Sequence, residues 1–253
     1  VKEMMQFSRN LLTFGKEGQE ILRKSTVAIL GLGGVGSFSC EAIVRSGVGR
    51  IILIDKDKVD ITNINRQLHA TLETVGQSKV ELMAQRIKAI NPECEVVKHD
   101  KFFNHDTYEE ILNDDISFFI DACDTITYKI LLIKECLKRN IPFISVMGAA
   151  NKLDPTMFEI ADISETSYDP IAKVIRTKLR KEKITGKVPV VYSKERPIKP
   201  KYEESLETTN SEIRKAQFPP ASNSFVPPVA GFIAASYAIR YLLKDIEIPR
   251  VGE

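Results

Sequence analysis

The chain has few cysteines, and none is paired in sequence: Cys40, Cys94, Cys123 and Cys136 form no C-x-x-C. That spacing excludes a zinc knuckle and a disulfide scaffold, so a reducing cytoplasm is the expected compartment. The opening residues, VKEMMQFSRN, lack the apolar run and small-residue cleavage site of a secretory signal, and none is expected. Long apolar runs are nearly absent too. The exception, Val226–Leu243, begins with prolines in its first turn and carries Arg240 near its end. It predicts a helix buried against a sheet, with no stable membrane insertion. Net charge is only +2, so bulk charge does not make a polyanion binder, and any nucleic-acid contact must come from local clustering. There is no internal repeat.

What is present is ordinary globular material, 43% apolar and 28% charged over 253 residues, enough to bury a full core. The first half alternates strand and helix signals. Thr26–Leu30 is a short apolar run, followed by GLGGVGS (Gly31 to Ser37), a helix over Val35–Ser46 that stops at Gly47, and a second strand over Arg50–Asp55. A helix over Ser78–Ile90 ends at Asn91-Pro92; strands follow at Glu95–Lys98, Ile116–Ile120 and Pro142–Val146, with a helix over Tyr128–Arg139. This order predicts an α/β fold, a Rossmann-like doubly wound and mostly parallel sheet.

After residue 153 the pattern changes. Asp169-Pro170 is a good helix opening, with Ile171, Val174, Ile175 and Leu179 forming one apolar face. From Lys173 to Lys201 there are eleven Lys and Arg against Glu182 and Glu195. Val188–Tyr192 can form a strand, Glu203–Gln217 reads as a polar loop, and Phe218–Pro228 as irregular chain. The expected organisation is a nucleotide-binding domain over 1–153 and a basic C-terminal extension over 154–253 that completes the same fold.

Glycines at 31, 33, 34 and 36 say that a backbone must approach a phosphate closely. Gly31, Gly33 and Gly36 fit G-x-G-x-x-G, and Asp55 stands where an acid binds a ribose hydroxyl, which alone suits a nicotinamide dinucleotide. The next run, DKDKVDITNINRQLHA, places Asp57, Asn63, Arg66 and Gln67 in one connection, and Lys79 opens the following helix. Arginine and amides supply fixed donors, and a lysine adds charge at a helix N-terminus, which suits a triphosphate. The fourth strand ends in DACD, setting Asp121 and Asp124 at the carboxyl edge, where a carboxylate can hold Mg²⁺ against phosphates. His69 is a candidate general base or a structural histidine, and Cys123 a strand-end residue or a sulfur relay.

Taken together, G-x-G-G-V-G-S, I-D-x-D-x-V-x-x-x-N-x-N-R-Q, the helix lysine and D-x-x-D-T resemble the adenylyltransferase superfamily of ubiquitin-activating enzymes, over roughly residues 6–150. The resemblance implies ATP as the nucleotide. Asp55 would bind its ribose, Asp57 would be a further acidic nucleotide-site residue, and Asn63, Arg66, Gln67 and Lys79 would hold its phosphates. Asp124 would hold the magnesium and be required for adenylation. Arg9 would reach the ATP of the other subunit, which implies a homodimer. The catalytic set so implied is Asp124, Arg66, Lys79 and Arg9.

In the second half, MGAANKLDPT, DISETSYDPIAKVIRTKLRK, VVYSKERP and FVPPVAGFIAASYAI resemble the branch that dehydrates threonylcarbamoyladenosine in tRNA to its cyclic form. This implies adenylation of the threonyl carboxylate, then attack by the neighbouring carbamoyl group, an intramolecular step that needs no enzyme nucleophile. The tRNA backbone would be met by Arg176, Lys178, Arg180, Lys181 and Lys183, off the apolar helix face. Tyr168 or Tyr192 could stack on a base. The alternative is an adenylyltransferase that activates a sulfur-carrier ubiquitin-like protein, whose usual paired C-x-x-C motifs are absent here. An NAD-dependent oxidoreductase fits the later residues poorly. No cysteine follows Cys136, so transfer to the chain's own thiol is not expected. A monovalent cation and a sulfur-relay partner are left open.

Overall fold

The computed structural model describes residues 4–202 and 219–252. Its centre is a seven-stranded sheet in the order β3-β2-β1-β4-β5-β7-β6. The strands are β1 (Thr26–Leu30), β2 (Arg50–Ile54), β3 (Glu95–His99), β4 (Phe118–Asp121), β5 (Phe143–Val146), β6 (Phe158–Asp162) and β7 (Pro189–Ser193). All pair in parallel except β6, which runs antiparallel to β7 at one edge. The helices are α1 (Ser8–Lys24), α2 (Gly36–Arg45), α3 (Lys79–Ile90), α4 (Tyr108–Leu112), α5 (Ile126–Arg139), α6 (Pro170–Lys181) and α7 (Val226–Leu242).

The central strands are buried on both faces, so their side chains alternate between two cores. Val27 and Ile29 of β1, with Ile51 and Leu53 of β2, pack with Leu22 of α1, Ile43 and Val44 of α2, Met83 and Ile87 of α3 and the alanines of α7. Ala28, Leu30, Ile52 and Ile54 point the other way, toward α4, α5 and α6. Each such aliphatic side chain contributes about 1.5–3 kcal/mol on burial, which makes the all-apolar strand sequence the main source of sheet stability.

The strand order reverses between β1 and β4, and ligands of open α/β sheets bind at the carboxyl ends flanking such a point. The glycine turn follows β1 directly and so lies there.

Several elements depart from the expectation. The helix α1 is interrupted at Gly15, whose φ of 68° is left-handed. The amphipathic α1, the short α4 and the edge strand β6 have no counterpart among the expected elements. The apolar run at 226 onward is α7, whose Ala230, Gly231, Ala234, Ala235 and Ala238 are buried. Its small residues let it approach α2 closely: Ser39 Oγ donates to the Gly231 carbonyl at 2.7 Å. Among the described residues no helix is long and apolar enough to cross a membrane. The stretch Glu203–Gln217, with Phe218, lies outside the described residues.

Candidate active site

The glycines are required by contacts rather than by flexibility alone. A Cβ on Gly36 would stand 1.7 Å from the Gly31 carbonyl oxygen, and one on Gly31, at φ 88°, would meet the Ala122 carbonyl at 2.9 Å. These close approaches bring β1, β4 and the start of α2 together. Gly34 packs under the aliphatic stem of Arg66, where a Cβ would meet Cγ at 3.2 Å. Gly33 faces the Gln67 amide, 3.6 Å from where its Cβ would be. The turn is therefore lined on one side by the connection after β2.

Two buried groups hold the Leu32 peptide from opposite ends. Its N–H donates to Asp55 Oδ2 at 2.7 Å, and its carbonyl accepts from His69 Nε2 at 2.6 Å. Because a carbonyl can only accept, Nε2 carries the proton and Nδ1 is bare; Nδ1 is buried with no partner. This favours the structural role for His69. Asp55 also accepts the Asp57 N–H at 2.7 Å. Burial pushes the Asp55 carboxyl above its ordinary range, partly opposed by these N–H donors.

The phosphate candidates surround this turn. Lys79 is 6% exposed at the start of α3, beside its Ser78 cap, and its Nζ is 3.9 Å from Asp57 Oδ2. Its ammonium thus lacks a close counter-ion. Asn63 is buried at the end of a short 3₁₀ turn, Ile61–Asn63, where its Oδ1 accepts the Asp60 N–H at 2.9 Å. Arg66 donates to the Thr62 carbonyl and to Asn65 Oδ1, both at 3.0 Å, and has no acidic partner among the described residues. The Gln67 Oε1 is buried without a partner. Loosely compensated cations around a glycine turn, with the Gln67 Nε2 facing Gly33, offer donors to an anion with several oxygens.

The two aspartates after β4 separate. Asp121 is fully buried, accepting from Ser145 Oγ at 2.6 Å and facing Lys129 Nζ at 3.2 Å. It belongs to the fold. Asp124 is exposed and has no hydrogen bond or ion pair among the described residues, which leaves its carboxylate open to a ligand. Cys123 between them is half-buried, its Sγ 3.1 Å from Asp121 Oδ1. Burial pushes its thiol well above the usual value, which suits neither a nucleophile nor a sulfur relay.

Arg9 is exposed on the first turn of α1 and has no partner among the described residues. The neighbouring Asn10 donates to the Arg45 carbonyl at 2.8 Å, at the far end of α2 from the glycine turn. Ten helical residues span about 15 Å, so Arg9 is remote from the turn of its own chain.

On α6, Lys178, Arg180 and Lys181 are exposed. Two expected members of that set are placed differently. Arg176 turns inward, donating to Thr166 Oγ1 at 2.6 Å and to the Ile163 carbonyl at 3.3 Å. Lys183 lies beyond the helix in a left-handed conformation, φ 56°, in the turn that closes α6. Of the two tyrosines, Tyr192 is buried, whereas Tyr168 is 57% exposed with the Arg196 guanidinium 5.2 Å from its ring centre. Sequence reading missed Lys152, a buried lysine in the connection after β5, because nothing in its type or spacing tells that it is inside.

Comparison with known proteins agrees with this geometry. The chain is similar to the tRNA threonylcarbamoyladenosine dehydratase of Bacillus subtilis (strain 168), 62% identical over 250 residues and covering 98% of each chain. It is 32% identical over 250 residues to the Escherichia coli (strain K12) protein of the same name, covering 94% of this chain and 93% of that one. Among solved structures, E. coli tRNA N6-threonylcarbamoyladenosine dehydratase, TcdA, in complex with ATP superposes with a TM-score of 0.86 at 32% identity, covering 95% of both chains. The model of the ThiF family matches residues 7–251. The chain belongs to the ThiF family.

Proposed function

We propose that this chain is an ATP-dependent tRNA threonylcarbamoyladenosine dehydratase. It adenylates the threonyl carboxylate of the modified nucleoside beside the anticodon, releasing pyrophosphate. The neighbouring carbamoyl group then attacks the acyl carbon, closes the ring and expels AMP. The observation that carries this reading is the 62% identity, over nearly the whole chain, to a relative of that name.

The residues suit the chemistry. In this reading Asp55 accepts from ribose hydroxyls, and Lys79, Arg66, Asn63 and Gln67 hold phosphate oxygens. Asp57 then balances Lys79 at the rim. Mg²⁺ takes one or two carboxylates together with substrate phosphates. The free carboxylate of Asp124 fits that role, and among the described residues no cluster of three metal-ligating side chains competes for the ion. Bound there, the ion would offset phosphate charge.

The distance of Arg9 from its own turn supports a homodimer, in which it would serve the nucleotide across an interface. The exposed Lys178, Arg180 and Lys181, with Lys183 beyond them, offer phosphate contacts to the anticodon arm, while Arg176 supports the helix behind them. Four free cysteines support a cytoplasmic setting. The sulfur-carrier alternative gains nothing from the site, since Cys123 is a poor thiolate and the chain has no C-x-x-C.

Pyrophosphate release separates the readings. With ATP, threonylcarbamoylated tRNA should stimulate it, and a small protein ending in Gly-Gly should not. The reverse pattern would assign the chain to carrier-protein activation.

A further inference from the structure

Among the described residues three lysines are buried, and they differ in what compensates them. Lys129, 1% exposed, has Asp121 at 3.2 Å. Lys79 has Asp57 at 3.9 Å, inside the phosphate site. Lys152, 2% exposed, has no hydrogen-bond acceptor and no ion pair for its ammonium. A lysine whose stem is buried while its Nζ reaches the surface and pairs with no protein group holds its charge ready for a ligand that brings the opposite one.

The backbone around Lys152 is fixed. Asn151, at φ 56°, donates its N–H to the Ala221 carbonyl and accepts the Ala221 N–H on its Oδ1, both at 2.8 Å. Its carbonyl accepts from Ile198 at 2.8 Å. Glu195 turns its carboxylate to the N–H groups of Leu153 and Asp154, at 2.9 and 3.0 Å, and not to the lysine. Asn223 Nδ2 donates to the Lys152 carbonyl at 2.9 Å.

That last bond ties Lys152 to the nucleotide site. The residue before Asn223, Ser222, accepts on its carbonyl from Asn65 Nδ2 at 3.1 Å, in the connection that carries Arg66. One dipeptide therefore separates the Lys152 backbone from the phosphate-binding connection, a span on the order of 10 Å. The loop of Lys152 also follows β5, the direct neighbour of β4, whose end leads into Asp124.

We propose that the Lys152 ammonium receives the carboxylate of the acceptor nucleoside and holds it for attack on the α-phosphate. This rests on the function proposed above. Two anions must meet in that step: a carboxylate oxygen forms the bond to phosphorus and pyrophosphate leaves with the bonding pair. An ammonium on the carboxylate side offsets their repulsion, as Lys79 and Arg66 do on the phosphate side. Once the carboxylate has become an uncharged acyl group its hold on Lys152 weakens, so the residue serves adenylation and not ring closure.

Lys152→Gln and Lys152→Arg in the full chain test this. In Lys152→Gln, kcat/KM for pyrophosphate release with threonylcarbamoylated tRNA should fall about 10- to 100-fold, the scale of a lost charged hydrogen bond. ATP affinity should stay within about twofold, and Lys152→Arg, which keeps the charge, within about tenfold of wild type in turnover. With a non-hydrolysable ATP analogue, wild type should prefer the modified tRNA over the unmodified transcript, and Lys152→Gln should lose that preference. The melting temperature of Lys152→Gln should not fall, because the ammonium has no protein partner to lose. Unchanged turnover, a parallel loss of ATP affinity, or a lowered melting temperature would each overturn the assignment. If the wild-type protein itself neither turns over nor prefers the modified tRNA, the proposed function fails, and this inference with it.

Discussion

Asp121 and Asp124 close the same strand and look equivalent in the motif D-A-C-D, yet their surroundings assign them opposite tasks. Asp121→Asn leaves Lys129 buried without its counter-ion, and should cost about 3–5 kcal/mol in urea unfolding. Asp124→Ala removes an exposed side chain with no hydrogen bond or ion pair among the described residues, so stability should hold within about 0.5 kcal/mol while pyrophosphate release disappears. A stable and fully active Asp124→Ala would remove its role at the phosphates. Side-chain identity was legible in the sequence; burial was not. That is why Arg176 could be counted with the exposed basic residues and Lys152 could be passed over. His69 adds a pH dependence. Burial is the main cause holding its imidazole, and that of His99, below the usual value. The unfolded chain then takes up the proton first as pH falls. Stability is thus full above about pH 6.5, the ordinary imidazole value, and is lost as pH falls through the lower folded values. Unfolding free energies measured between pH 7.5 and 5 should show that decline. In His69→Asn the slope should flatten by up to about 1.4 kcal/mol per pH unit, the share of one proton.

The glycine turn, the β2 strand with Asp55 and the helix opened by Lys79 could all be read from spacing, because each combines a strong periodic run with a residue that punctuates it. The misses share a physical cause. The helix α1 is mostly polar and broken at Gly15, and β6 is a half-exposed edge strand with an acid at its second position and another at its end. The left-handed glycine interrupts the amphipathic stripe of α1, and β6 is too short and too exposed for an apolar period to register. The closeness of α7 to α2 was equally hidden, since it depends on which small residue meets which backbone. A Cβ on Gly231 would lie 2.2 Å from the Val35 carbonyl. Gly231→Ala should therefore push α7 outward, at a cost of about 1–3 kcal/mol for overpacking. Because Val35 sits between the glycine turn and α2, the variant should also bind ATP more weakly than its stability loss alone explains. Calorimetric titration with ATP, beside a thermal melt, measures both. Wild-type affinity in the variant would show that α7 does not position the turn.

At the level of the whole molecule the proposed nucleotide site lacks only Arg9 in its own chain, and the proposed homodimer would supply it from the partner. Mixing Arg9→Ala with Asp124→Ala protein, each inactive alone, should restore activity. In a statistical mixture of dimers half are hybrids with one intact site of two, giving about a quarter of wild-type turnover. No recovery after exchange of subunits would confine Arg9 to a role in its own chain. The overall α/β class could be read from the alternation of elements, whereas the insertion of β7 between β5 and β6 could not, because crossovers are set by packing and leave no local mark in sequence. One consequence lies in the biosynthesis of the molecule. The berth that α7 fills includes α2, made of residues translated nearly two hundred positions earlier. A nascent chain emerging from the ribosome must carry that oily surface bare until α7 clears the exit tunnel. Products stalled or shortened before α7 should therefore be clients for chaperones.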